Sequence, residues 1–79
     1  MDITIKYFGA VAEQAGTSTE FLTLSQAEIE LDDFKALCFK KYNITNMGSV
    51  KTAINRELKE TGYIKSGDEV AFLPPFAGG

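Results

Sequence analysis

The residues whose types and order could do chemistry stand at the end of the chain, Pro74-Pro75-Phe76-Ala77-Gly78-Gly79. Two successive prolines favour an extended polyproline conformation that carries the backbone away from whatever precedes it. Ala77, Gly78 and Gly79 then carry almost no side chain, so the segment narrows to a tip that fits a channel closed to larger residues. Glycine also permits the close backbone approach that an enzyme needs around a reacting carbonyl. The reactive group would be the α-carboxylate of Gly79. A carboxylate is a poor electrophile, so its use calls for ATP to make an acyl adenylate. AMP is then the leaving group that lets a sulfur nucleophile form a thiocarboxylate. Taken by itself, a Gly-Gly end also has a bland reading as a frayed terminus, and the residues before it must decide.

The rest of the chain offers little that could catalyse. It contains no histidine, which removes the commonest general base, nucleophile activator and zinc ligand. Cys38 is the one cysteine, so no internal disulfide or multi-cysteine metal site can form. A persulfide relay at Cys38 is the alternative to plain packing, but its helical phase groups it with Phe34 and Leu37, read as buried, and a buried cysteine is usually inert. Eleven acidic residues against eight basic ones give a net charge of −3, with no Lys or Arg run able to neutralise a row of phosphates. That argues against nucleic acid as a partner. The apolar runs are short and the N-terminus opens on strand-like alternation, not a charged then apolar leader, which points to a cytoplasmic protein without a membrane segment.

The elements that must hold the tail are those of a single domain over residues 1–79, with a flexible tail at 74–79. Ile3, Ile5 and Tyr7 alternate with Thr4, Lys6 and Phe8, the period of a strand with one face on a core. Ala10 to Ala15 is rich in helix formers and closes on Gly16, suited to a left-handed turn. Glu20 to Ser25 reads as a second strand with Leu22 and Leu24 inward. From Leu31 to Tyr42 the positions Phe34, Leu37, Cys38 and Tyr42 keep helical spacing, with Asp32 and Asp33 in the first turn and Lys40 and Lys41 in the last. Those charges and Lys35 read as a solvated helix face. Val50, Thr52 and Ile54 resume alternation, Leu58 follows in a turn or short strand, and Glu69 to Leu73 form a last strand that Pro74 must end. Strands on both sides of one long helix, at this size, predict an α+β roll: a mixed sheet packed on that helix.

At this point the sequence resembles a known family. Gly67-Asp68-Glu69-Val70-Ala71-Phe72-Leu73 followed by the tail looks like the C-terminal signature of MoaD-type small subunits of molybdopterin synthase. Tyr7-Phe8-Gly9 with its short Ala-rich helix, and Ala53-Ile54-Asn55-Arg56-Glu57, are similar to the family's opening and its third-strand turn. Phe76 is larger than the residue the family more often carries there. The resemblance implies a ubiquitin-like β-grasp fold and a sulfurtransferase role in molybdenum cofactor synthesis. An ATP-dependent activating enzyme (MoeB-type) would adenylate Gly79, and the thiocarboxylate would pass sulfur to cyclic pyranopterin monophosphate in a large subunit (MoaE-type) that supplies the catalytic side chains. The chain itself would bind no cofactor, and two carriers would flank a large-subunit dimer. Phe8, Leu58 and Leu73 match apolar places where the family's small subunit meets the large one, with Pro74, Pro75, Phe76, Ala77 and Gly78 entering it. Strand alternation independently leaves Phe8 and Leu73 opposite the core face, and exposed large apolar groups invite a partner. Three rivals remain: a carrier for thiamine synthesis, a ubiquitin-like modifier joined to lysines, and a binding module with an idle tail. Pro74-Pro75 favours the molybdopterin branch over the first.

Overall fold

The computed structural model describes residues 1–45 and 47–74. The first strand, β1 (Asp2–Tyr7), buries Ile3, Ile5 and Tyr7 as its alternation predicts. A short helix α1 (Gly9–Ala15) follows and ends on Gly16, whose φ of 76° is the left-handed turn expected of a glycine cap. The hairpin partner β2 (Thr19–Thr23) lies antiparallel to β1, with Leu22 opposite Ile3. Leu22 and Leu24 pack against the core and Phe21 points away, which settles the phase in favour of the predicted one.

The main helix, α2 (Leu31–Tyr42), has the predicted bounds, with Asp32 and Asp33 in its first turn and Lys40 and Lys41 in its last, an arrangement that suits the helix dipole. Its buried stripe is Leu31, Phe34, Cys38 and Phe39, with Tyr42 packed alongside. Leu37 is exposed, not buried as expected. At 100° per residue, Leu31, Phe34, Cys38 and Tyr42 share one side, and Leu37 and Phe39 flank it on opposite edges at about equal angles; the sheet's Phe72 covers the Phe39 edge, while the Leu37 edge is left exposed. Lys35 is also misplaced by the sequence reading. It sits beside that stripe, half-buried, and its Nζ donates to the Val50 carbonyl at 2.7 Å.

Four further strands complete the fold around β7 (Glu69–Leu73), where the sequence placed it. It runs parallel to β1 and antiparallel to β4 (Lys51–Ile54), and β5 (Glu57–Leu58) pairs with β4 at the edge. The five-stranded order is β2-β1-β7-β4-β5, one mixed sheet wrapped over α2, which is the ubiquitin-like β-grasp roll. A second, two-stranded sheet of β3 (Glu28–Glu30) and β6 (Tyr63–Lys65) was not predicted. These three-residue strands are too short to show alternation, and their shared feature, Ile29 opposite Ile64, is a long-range pairing. The core centres on Phe72, whose ring lies 5.8 Å from that of Tyr7, 6.5 Å from Phe34 and 5.1 Å from Phe39. Each such buried aromatic contributes about 1.5–3 kcal/mol through burial. Because it sits on β7, which is paired on both sides, the strand that leads into the tail is anchored in the core.

Candidate functional site

β7 ends at Leu73, and Pro74 follows it beside the parallel end of β1. Parallel pairing brings the two C-terminal strand ends together, and the Phe8 N–H donates to the Phe72 carbonyl at 3.1 Å. The chain then turns into α1 at Gly9, with φ of +55°. A Cβ there would lie 3.0 Å from Cγ of Pro74, so glycine is required both for the turn and for the closeness of the proline. Pro74 is therefore seated against the start of α1. The other predicted tail residues, Pro75, Phe76, Ala77, Gly78 and Gly79, lie outside the described residues.

The outer face of the sheet carries the predicted apolar group. With Tyr7 and Phe72 inward, Phe8 and Leu73 stand on the opposite side. Leu58 reaches the same side from the β4–β5 hairpin, where it pairs with Ala53. That hairpin turns on Asn55 and Arg56, with φ of 52° and 69°, a two-residue turn with both centres left-handed. Asn55 fixes it to β7: its Nδ2 donates to Asp68 at 3.0 Å, and its Oδ1 accepts from the Glu69 N–H at 3.0 Å. Phe8 (46 % exposed) and Leu58 (61 % exposed) thus line one open depression with Leu73, floored by Ala53 and Ala71. All three predicted docking residues are brought together, next to Pro74. Two residues of this face were missed. Phe21, 80 % exposed, lies outward on β2 beside Thr4, and Lys51 stands opposite Leu73 on β4. Both positions follow from strand phase once the neighbours are known.

A family model described as the ThiS family matches residues 5–79. The chain belongs to that family. It is 32 % identical, over 98 % of its own length and 91 % of the relative's, to the molybdopterin synthase sulfur carrier subunit of Anopheles gambiae. Among solved structures, the small archaeal modifier protein 1 of Haloferax volcanii superposes with a TM-score of 0.79 at 20 % identity, covering 95 % of this chain and 98 % of that one. One chain of the complex of subunits 1 and 2 of the molybdopterin-converting factor from Helicobacter pylori superposes with a TM-score of 0.64 at 22 % identity, covering 100 % of this chain and 100 % of that one. These two likenesses concern the fold.

In this ThiS-family chain Tyr7, Glu20, Cys38, Lys41 and Tyr42 form a cluster of interacting titratable groups between the first hairpin and α2. Burial pushes the Cys38 thiol up to about 12, with the Glu20 charge adding to the effect. Such a thiol is neutral and enclosed, so it has the character of packing, as its phase predicted. Burial also raises Tyr7, whose hydroxyl donates to Glu20 Oε1 at 3.0 Å. Burial raises Glu20 too, but Lys41, Tyr42 and Tyr7 hydrogen-bond its carboxylate and together hold it below its ordinary value. The Lys41–Glu20 ion pair ties the end of α2 to β2. This cluster braces the sheet's first hairpin against the helix. Among the described residues no group of acidic, Cys or His side chains could hold a metal ion, and no helix is long and apolar enough to cross a membrane.

Proposed function

We propose that this chain is the sulfur-carrying small subunit of a cytoplasmic molybdopterin synthase. The observation that carries the reading is the apolar depression of Phe8, Leu58 and Leu73, which opens beside Pro74 at the root of the Gly-Gly tail. A partner seated there receives the tail directly. In the proposed cycle an activating enzyme joins the Gly79 carboxylate to AMP, releasing pyrophosphate from ATP. A sulfur nucleophile then displaces AMP and leaves a thiocarboxylate. Inside the large subunit that sulfur passes to cyclic pyranopterin monophosphate, and two deliveries build the dithiolene. Gly79 is the reacting residue and Gly78 gives it access. Pro74, Pro75, Phe76 and Ala77 thread the tail, and the large subunit supplies the catalytic side chains. Each large subunit of a dimer would receive one carrier. The chain's likeness to the Anopheles gambiae carrier supports the molybdopterin branch.

The test is the intact mass of the protein after incubation with ATP, an activating enzyme and a sulfur donor. One exchange of oxygen for sulfur, localised to Gly79, is expected. Subsequent incubation with the pterin precursor and large subunit should yield the dithiolene. An unchanged mass, with the activating enzyme competent on another carrier, would overturn the reading. Lysine-linked adducts without sulfur loading would replace it with a modifier. Deletion of Gly79, or a residue appended after it, should abolish transfer with the melting temperature unchanged, since no core position is touched.

A further inference from the structure

A second depression lies around the sheet edge from the apolar patch, between the start of α2 and the β4–β5 hairpin. Leu58 lines both depressions, so the two are continuous across one side chain. Its cationic wall is Lys35, Lys51 and Lys59, three of the chain's eight basic residues, with Asp32 and Glu60 also at its border. The lysines differ in what they already bind. Lys59 stands 3.8 Å from Glu57, an exposed and weak pair. Lys35 is half-buried and spends one of its three N–H donors on the Val50 carbonyl at 2.7 Å. Neither Lys35 nor Lys51 has a carboxylate in ion-pair distance among the described residues. Burial, with the neighbouring Lys51 charge adding to it, lowers the Lys35 ammonium from its ordinary value, while Asp32 opposes them. A half-buried ammonium with spare donors is therefore held beside a second cation.

We infer that this depression receives an acidic side chain of the large subunit, whose carboxylate bridges Lys35 and Lys51 while its backbone neighbours cover Leu58. The inference rests on the proposed docking of that subunit over Phe8, Leu58 and Leu73. Charge complementarity selects the occupant: in a chain of net charge −3, a pocket lined by three lysines against Asp32 and Glu60, two of those lysines without an ion-pair partner among the described residues, favours an anion where the surface at large does not. Continuity through Leu58 selects the source, because a partner resting on the apolar patch already borders the pocket. Lys51 lies directly opposite Leu73, so the contact would also fix the partner's orientation at the tail root.

The experiment is titration of the large subunit into the unaltered chain and into Lys35→Gln, Lys51→Glu and Leu58→Asp variants, at low and high salt. Lys51 is exposed, so Lys51→Glu folds as the parent does even if Lys35→Gln loses stability with its hydrogen bond. Both lysine variants should weaken binding about tenfold, and Lys51→Glu should flatten its salt dependence. Weakening by Leu58→Asp with both lysine variants unaffected would overturn the inference and leave the docking reading standing. Failure of the unaltered chain to bind would remove both. A parallel titration with inorganic phosphate, followed by the amide signals around Lys35 and Lys51, distinguishes the source. Saturable phosphate binding, with partner affinity unchanged in the variants, would reassign the pocket to a free anion.

Discussion

Replacing Gly9 with alanine separates the cost of a backbone conformation from the cost of a contact, because Gly16 provides the matched control. Both glycines have positive φ, +55° and +76°, but a Cβ at Gly16 meets nothing within 4 Å, whereas one at Gly9 meets Pro74 at 3.0 Å. A left-handed conformation costs an L-residue about 1–2 kcal/mol, so Gly16→Ala should lower stability by that amount. In a domain of this size that is a fall in melting temperature of about 4–16 °C. Gly9→Ala bears the same strain, and Pro74 must also give way by a few tenths of an ångström. Pro74 is the root of the tail, so the displacement should register in delivery more than in stability. A misplacement of about 1 Å can cost about 100-fold in rate. The smaller shift predicts single-turnover sulfur transfer about tenfold slower in Gly9→Ala than in Gly16→Ala, from carriers loaded to the same extent. Pro74→Ala removes the Cγ, so in that background the difference between the two glycine variants should shrink. Equal transfer rates for Gly9→Ala and Gly16→Ala would refute the idea that Gly9 aims the tail.

Other consequences are simpler to check. Phe8→Ala should weaken association with the large subunit, measured by calorimetry, while its half-exposed ring leaves the fold intact in circular dichroism. Cys38 should react with iodoacetamide only on unfolding, since its thiol is buried and pushed up to about 12; rapid native labelling at neutral pH would reopen the relay. Glu20 makes a definite acid prediction. Its folded carboxyl lies below the unfolded value of about 4.3, so its stabilising contribution is complete above that value and is lost as pH falls through the folded one. Melting temperatures of Glu20→Gln should therefore decline less steeply than those of the parent below about pH 4.3. Parallel slopes would show that the Tyr7–Glu20–Lys41 contacts contribute nothing in solution.

What the sequence made legible depended on whether a residue's neighbours are local. The β1 alternation of Ile3, Ile5 and Tyr7 and the Gly16 cap are local patterns, and each appears as expected. So does the break at Pro74, because a missing N–H needs no tertiary context. Leu37 was misread because it flanks the stripe of Leu31, Phe34 and Cys38 as closely as Phe39 does on the other edge, and which edge is covered is decided by a distant residue, Phe72, which packs on Phe39. Lys35 was misread for the opposite reason. Its charge suggested solvent, while its carbon chain packs beside the stripe and only the ammonium needs a polar partner, found in the carbonyl of a distant residue, Val50. Strands β3 and β6 were invisible since each is three residues whose partner lies more than thirty positions away.

The same division explains why the proposed docking face was legible in part. Phe8 and Leu73 could be placed outward from alternation alone, since their strand neighbours Tyr7 and Phe72 had to face the core. Leu58 could not be placed this way, because a two-residue strand has no phase. It reaches the face only because the left-handed pair Asn55 and Arg56 reverses the chain, and because Asn55 bonds across to Asp68 and Glu69 at the start of β7. The hairpin that presents Leu58 and the strand that feeds the tail are thereby joined at one end through side-chain hydrogen bonds and along their length through β4. A partner that grips Leu58 consequently acts on an element rigidly registered to β7. That makes the distance between Leu58 and Pro74 a fixed property of the fold, which is what the proposed delivery of the tail to a partner's site requires.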